Sequence, residues 1–99
     1  MKVVLSDEAR ASLREIALFI ARDNVERARS FVRELRAKVR EVGDRPHAFA
    51  LVPRYEHHGV RRRPYRDYLI FYRIEDDRVT IVHILHGAMD YEALLFAEP

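Results

Sequence analysis

Cysteine is absent from this chain of 99 residues. Its absence excludes disulfide frameworks, thiolate zinc sites and cysteine nucleophiles. Long hydrophobic runs are also missing, because no stretch approaches the length that a membrane-spanning helix needs. The first apolar run covers only residues 3–5, which is too short for the core of a signal peptide. These absences make the cytoplasm the expected location and give no reason to expect a membrane partner.

Lysine is scarce, and arginine carries almost all of the positive charge. Lys2 and Lys38 are the two lysines among 18 basic residues, which stand against 16 acidic ones. The resulting net charge of +2 is too small to indicate nucleic-acid binding. Six arginines nevertheless lie within 20 residues of each other: Arg54, Arg61, Arg62, Arg63, Arg66 and Arg73. Guanidinium groups suit bidentate contacts with carboxylates and phosphates, so this segment is a candidate contact surface.

The length and the hydrophobic pattern predict one small domain that begins with a strand and two helices. A chain of 99 residues has room for a single core, so we expect one domain over residues 1–99. Residues 3–5 predict an edge strand, and Ser6 is a favourable N-cap for the helix that follows. Apolar residues then recur at helical spacing on both sides of Asp23-Asn24, which predicts an antiparallel helical hairpin. Gly43 is expected to end the second helix.

The second half of the chain predicts strands. Residues 68–75 and 79–86 are the clearest, with a polar turn between them, whereas Pro64 makes residues 60–66 a less regular strand. Simple alternation predicts that Tyr72 and Phe71 face opposite sides of the sheet, as do Ile81 and Ile84.

Both of the clearer strands are apolar on both faces, which is typical of a sheet that is covered on both sides. One helical hairpin covers one face only. The other face therefore requires the apolar loop of residues 44–59, the C-terminal tail or a partner chain. We expect the tail to form a short amphipathic helix beginning near Asp90 and Tyr91.

Three stretches of the sequence carry a resemblance to a known family. They read LSDEARASLREIALFIARDN over residues 5–24, VERA over 25–28, and VRRRPYRDYLIFYRIEDDRVTIVHILHGAMDYEALL over 60–95. Their content and order resemble the ParE branch of the RelE/ParE toxin superfamily, in which strands ending in YxIFYR and in HG recur. The resemblance implies an α+β fold with an N-terminal strand, an antiparallel helical hairpin packed on a small twisted, mainly antiparallel sheet, and a short C-terminal helix.

The same resemblance implies a function and a set of partners. ParE-like proteins are toxin components of type II toxin–antitoxin systems, and studied examples act on DNA gyrase. We therefore expect inhibition of gyrase by binding, and neutralisation by a cognate antitoxin in a hetero-oligomer such as a 2:2 complex. The antitoxin is expected to lie across the helical hairpin and the sheet, and DNA is expected to be contacted only through it.

Two alternatives stay open at this point. The RelE branch cleaves mRNA on the ribosome. Such an endoribonuclease needs cations around the scissile phosphate, together with an acid and a base. His86 and Tyr91 are the candidates for the acid and the base. Alternatively, the chain is a weakly toxic or non-toxic partner in an autoregulatory DNA-binding complex. Met89 favours that reading, because the ParE branch commonly has arginine at this place before Asp90.

The candidate residues for antitoxin or target contact come from the basic strand, the hairpin and the tail: Arg61, Arg62, Arg63, Arg66, Tyr72, Arg73, His86, Asp90 and Tyr91. No catalytic residue, metal site or cofactor is predicted. Arg73 is expected to lie at a sheet end or to pair with Glu75 or Asp77. The hydroxyl of Tyr72 is expected to reach water or a partner, and Gly87 to adopt a turn that other residues disfavour.

Overall fold

A computed structural model describes residues 1–97, which form a four-stranded sheet, two long helices and a short C-terminal helix. In chain order the elements are β1 (Lys2–Leu5), α1 (Asp7–Ala21), α2 (Val25–Asp44), a 3₁₀ turn (Glu56–His58), β2 (Val60–Tyr65), β3 (Tyr68–Ile74), β4 (Arg78–His86) and α3 (Tyr91–Phe96). The strand order is β1-β4-β3-β2, with β1 parallel to β4 and the other pairs antiparallel. The predicted α+β architecture is confirmed.

Both helices of the hairpin begin at the caps that the sequence predicts. Ser6 Oγ accepts a hydrogen bond from the Ala9 amide at 3.0 Å and donates one to the Val82 carbonyl at 2.8 Å, which fixes the start of α1 to β4. Asn24 Oδ1 accepts from the Arg27 amide at 2.9 Å at the start of α2. Each cap satisfies a backbone amide that the first turn of a helix leaves without an internal partner.

The prediction that Gly43 ends the second helix is wrong. Helix α2 continues to Asp44, and Gly43 lies inside it. A Cβ on Gly43 would approach Val3 Cγ2 to 2.5 Å and the Met1 carbonyl oxygen to 2.7 Å. The amino group of Met1 donates to the Gly43 carbonyl at 2.8 Å. The glycine is therefore required by the close approach of β1, and not by a turn of the backbone.

Two apolar clusters lie on the two faces of the sheet. The first joins the inner faces of α1 and α2 to Ile70, Tyr72, Val79, Ile81 and Ile84. The second, on the opposite face, joins Val52, Val60, Phe71, Leu85 and Phe96. Loop residues and α3 therefore cover this second face. The apolar second face on its own thus gives no argument for a covering partner, because the chain supplies a cover for it.

A β-bulge in β4 changes the alternation that the sequence predicts. The register between β3 and β4 shifts at Phe71 and Tyr72, so that Phe71 pairs with His83 but Tyr72 pairs with Ile81. Ile81 and Ile84 consequently both belong to the helix-side cluster, although three positions separate them. The predicted opposition of Ile81 and Ile84 is wrong, because a bulge inserts an extra residue and resets the period of two. On β3 the predicted opposition of Phe71 and Tyr72 is confirmed.

Candidate functional site

Arg61 and Arg63 point to the helix side of the sheet and hold neighbouring segments in place. Arg61 Nη1 donates to the Phe49 carbonyl at 2.7 Å. Arg63 Nη2 contacts Glu41 Oε2 at 2.8 Å, and its guanidinium lies 4.9 Å from the centre of the Phe49 ring. The Arg63 hydrogen bond lowers the pKa of the Glu41 carboxyl. These two arginines therefore fasten the loop and α2 to β2, and the side chain of Arg63 is only 14% exposed.

Arg62 points to the other face and fastens the C-terminal helix. Its Nη1 donates to the hydroxyl of Tyr91 at 2.7 Å. The ring of Tyr91 packs 5.0 Å from that of Phe71. The opposite directions of Arg62 and its neighbours agree with the alternation along β2 that the sequence predicts.

Helix α3 is held by three further contacts, of which the first involves Asp90. Asp90 Oδ1 accepts from the Ala93 amide at 3.3 Å and caps the helix. Arg54 and Glu92 form an ion pair at 2.7 Å, and Phe96 stacks on Tyr55 with ring centres 4.3 Å apart. The predicted short helix is confirmed, and its apolar side packs back on the sheet.

Tyr72 is not available at the surface. Its side chain is fully buried, and its hydroxyl donates to the Pro46 carbonyl at 2.6 Å. Desolvation raises the pKa of this phenol above its ordinary value. The expectation that the hydroxyl reaches water or a partner is wrong, because the loop after α2 folds over β3.

Arg73 is exposed, and its expected ion pair is not formed. Its Nε donates to the His58 carbonyl at 3.4 Å. Glu75 instead accepts a hydrogen bond from Thr80, and Asp77 contacts Arg78 at 3.0 Å. Of the two alternatives expected for Arg73, the pair with Glu75 or Asp77 is not formed, since neighbours across the β3–β4 turn take both carboxylates. Its place as the last residue but one of β3 agrees with the other alternative, a position at the end of the sheet.

His86 and Gly87 fix the end of β4. His86 Nδ1 accepts from the Ala88 amide at 3.1 Å, and its ring meets the edge of Tyr68 at 5.3 Å. The Gly87 amide donates to the Asp67 carbonyl at 2.8 Å. Gly87 has no positive φ, and a Cβ there would lie an ordinary 3.4 Å from that oxygen. The prediction that Gly87 provides a left-handed turn is wrong.

A cleft at the tip of the helical hairpin brings together Arg66 and His86, two of the residues predicted to contact the antitoxin or the target. It has a volume of about 430 Å³ and is lined by the ends of α1 and α2, the β2–β3 turn and the end of β4. We call it the tip cleft; its residues are Phe19, Ile20, Arg27, Phe31, Arg66, Asp67, Tyr68 and His86. Arg27 is neutralised by Glu34 at 2.6 Å, and the hydrogen bond from Arg27 lowers the pKa of that carboxyl.

A second surface, which we call the hairpin groove, runs between α1 and α2 on their outer side. Its apolar floor consists of Leu5, Leu13, Ala17, Leu18, Ala21, Val25, Ala28 and Val32. Its rim consists of six exposed arginines: Arg10, Arg14, Arg29, Arg33, Arg36 and Arg40. Among residues 1–97, only Arg29 of these six forms an ion pair, a 3.5 Å contact with Glu26.

Sequence reasoning placed the antitoxin across the helical hairpin but did not identify the arginines that form the rim of the groove, although their spacing indicates it. Arg29, Arg33, Arg36 and Arg40 follow each other at intervals of four, three and four residues, which places them on one stripe of α2. Like charges at such spacing repel one another within the helix. The arginine cluster of β2 is more prominent in the sequence, yet the structure uses much of it internally.

In the part of the chain that the structure covers, no three His, Cys, Asp or Glu side chains gather as metal ligands. His83 lies half-buried beside α1, with Nδ1 2.8 Å from Ser12 Oγ. Desolvation lowers the pKa of this imidazole, while Glu8 and Glu15 act in the opposite direction. Within the same described range, no helix has the length and apolarity that crossing a membrane demands.

Comparison with known proteins gives one family match and a structural match. The family model described as "ParE toxin of type II toxin-antitoxin system, parDE" matches residues 3–91. A solved structure described as "Chromosomal ParDE TA system from P. aeruginosa" has a TM-score of 0.69 and 19% sequence identity. That match covers 87% of this chain and 95% of the other, and at this identity it supports the fold alone. No curated protein matches the sequence significantly.

Proposed function

The chain belongs to the ParE toxin family of type II toxin–antitoxin systems, and on that basis we propose that it inhibits DNA gyrase by binding. We propose further that it acts in the cytoplasm, that it has no active site of its own, and that a cognate antitoxin neutralises it. The observation that carries the proposal is the family match over residues 3–91, which includes both surfaces of the helical hairpin.

The arrangement of His86 and Tyr91 supports binding over ribonuclease chemistry. His86 contacts Tyr68, which packs against the helix-side cluster. Tyr91 packs against Phe71 on the opposite face. An acid and a base that act on one scissile phosphate must lie within reach of the same substrate atoms. The sheet lies between these two side chains, which disfavours their joint use.

The hairpin groove is the surface that best fits the antitoxin. From Val25 to Arg40 it follows α2 for roughly 22 Å, at about 1.5 Å per residue. An amphipathic helix of about four turns would lay its apolar stripe over such a floor. A complementary helix would carry acidic residues along its edges, because the exposed arginines of the rim lack carboxylate partners among residues 1–97 apart from Arg29.

The apolar floor favours a protein helix over nucleic acid as the occupant of the groove. A phosphate backbone would pair with the arginines but leave Leu18 and Val25 in water, where they are 70% and 53% exposed. Burying such side chains is the main favourable term when an amphipathic helix docks. This agrees with the expectation that DNA is contacted only through the antitoxin.

Induced expression in growing bacteria tests the proposed target. Gyrase poisoning should produce filamentation and an SOS response while bulk mRNA stays intact. Rapid ribosome-dependent mRNA cleavage would instead identify a nuclease, and unaffected growth would identify a non-toxic partner protein. Co-expression with the cognate antitoxin is the control, because it should restore growth if the effect belongs to the folded toxin.

Separate replacement of His86 and Tyr91 distinguishes binding from chemistry. A nuclease that uses either residue as acid or base should lose rate by roughly two to four orders of magnitude. A binding toxin should show a graded change in the dose that inhibits growth, and thermal unfolding of each variant separates lost stability from lost affinity.

A further inference from the structure

The tip cleft has a feature that the proposed function does not use: the exposed side chain of Phe19 forms part of its wall. We propose that the tip cleft is a self-docking site, in which two copies of this chain bind about a two-fold axis, with Phe19 of each copy inserted into the cleft of the other. The inference does not depend on gyrase or on the antitoxin.

The first step is the fit between Phe19 and the cleft. The cleft volume of about 430 Å³ exceeds that of a benzyl group, and its walls include the rings of Phe31 and Tyr68. The ring of Phe31 is only 5% exposed and has the Arg27 guanidinium 5.0 Å from its centre, so an added ring would lie against this guanidinium and the half-buried ring of Tyr68.

The second step is the exposure of the inserting side chain. Phe19 is 64% exposed and lines the tip cleft. Its neighbour Leu18 is also exposed, but it lines the hairpin groove and takes no part in the tip cleft. Arg22 lies 6.0 Å from the Phe19 ring, at the limit of a cation–π contact, and leaves most of the ring available.

The third step decides the kind of partner. Arg66 and Asp67 are adjacent, exposed and of opposite charge, and neither forms an ion pair with any side chain in the described range of residues 1–97. An acidic helix or a phosphate backbone would satisfy Arg66 and repel Asp67. A two-fold interface is complementary to itself, so Arg66 of one copy can pair with Asp67 of the other, twice.

The fourth step is the rigidity of the turn that presents these charges. Arg66 has a φ of 55°, a region that residues other than glycine seldom adopt. The hydrogen bond from the Gly87 amide to the Asp67 carbonyl holds the turn against the end of β4. A positive φ is ordinary at the first residue of a two-residue hairpin loop, so it belongs to the tight turn that presents the two charges side by side.

The proposed dimer leaves the hairpin groove free. Ala17 and Ala21 line the groove, whereas Phe19 and Ile20 line the cleft. Helical geometry places Phe19 on the side of α1 opposite Ala17 and Ala21. A toxin dimer formed through the tip clefts could therefore bind one antitoxin helix on each copy.

Sedimentation velocity of the full chain, made by cell-free synthesis, tests the proposal. Between about 1 and 100 µM the chain should pass from monomer to dimer. Phe19→Ala should weaken the dimer by roughly 100-fold or more, because each interface loses two central aromatic anchors. Phe19 is exposed, so this variant should keep the circular dichroism spectrum and melting temperature of the unmodified chain.

A charge exchange at the turn gives the sharper result. Arg66→Asp and Asp67→Arg should each weaken the dimer at least about tenfold. The double variant should restore it, because both pairs reform with reversed sign. Arg78→Asp, at the start of β4 beside Asp77, is the control at the other end of β3 and should leave the dimer unchanged.

Three results would overturn the proposal. The first is a chain that stays monomeric throughout this range, and the second is a double variant no better than the single ones. The third is a dimer that Leu18→Asp abolishes while Arg66→Asp leaves it intact, since that pattern would place the contact in the hairpin groove.

Discussion

Arg62 on β2 donates a hydrogen bond to the hydroxyl of Tyr91 on α3 at 2.7 Å, and this contact joins the C-terminal helix to the second face of the sheet. Alternation along β2 points Arg62 away from Arg61 and Arg63, and the contact with Tyr91 occupies its guanidinium on that face. It also means that part of the positive charge of β2 is used within the chain.

Tyr91→Phe should therefore destabilise the protein by about 1 kcal/mol, because a half-buried guanidinium loses its acceptor while the ring packing is kept. Tyr91→Ala should cost roughly 2–4 kcal/mol, since the contact with Phe71 is lost as well. Urea denaturation followed by circular dichroism measures both values. Equal losses for the two variants would contradict the role given to the hydroxyl.

Gly43→Ala and Gly87→Ala form a matched pair at two glycines. An exposed helical glycine usually gains stability on replacement by alanine. At Gly43 the new Cβ would lie 2.5 Å from Val3 and 2.7 Å from the Met1 carbonyl, so a loss of roughly 1–3 kcal/mol is expected. At Gly87 the change should stay within about 0.5 kcal/mol, because the new Cβ would make ordinary van der Waals contacts at 3.4 Å or more and φ is not positive. A stabilised Gly43→Ala variant in thermal unfolding would contradict the close approach of β1.

The pH dependence of stability should contain a contribution from His83. Desolvation lowers the pKa of its imidazole in the folded state, whereas the unfolded state titrates near the ordinary value of 6.5. The contribution is therefore fully present above about pH 6.5. It is lost as the pH falls through the folded pKa, because the unfolded chain takes up the proton first.

His83→Gln can keep a hydrogen bond to Ser12 without titrating. Its free energy of unfolding should fall less than that of the unmodified chain between about pH 7 and pH 5. The comparison removes the contribution of the other four histidines, which both proteins share. Identical slopes for the two proteins would show that His83 is not desolvated.

Charge reversal on the rim of the hairpin groove should weaken antitoxin binding. Arg33→Glu and Arg36→Glu are each expected to reduce affinity by roughly five- to fiftyfold, with a smaller loss at high salt because ionic screening weakens these contacts. Arg73→Glu is the control, since Arg73 is exposed but lies outside the groove. Isothermal titration calorimetry at two salt concentrations gives the comparison. Equal losses of antitoxin affinity at all three positions would contradict the proposal that the antitoxin binds in the hairpin groove.

Local signals predicted much of the fold. The caps at Ser6 and Asn24, the helical hairpin and the antiparallel strand pair all follow from the sequence. The helix end at Gly43 and the special turn at Gly87 were predicted wrongly, and the bulge in β4 was not predicted. Each of these features depends on a contact or a register between segments that are distant in sequence. The roles of Arg61, Arg63 and Tyr72 were missed for the same reason, since loop residues that fold back onto the sheet take up their polar atoms.

The central claim is that this chain inhibits gyrase by binding, and DNA supercoiling by purified gyrase tests it most directly. Adding the chain should abolish supercoiling or trap cleaved DNA in proportion to dose, and prior addition of the cognate antitoxin should prevent the effect. Unimpaired supercoiling at a large molar excess of the folded chain would contradict the account, most decisively if the same preparation cleaves mRNA on ribosomes.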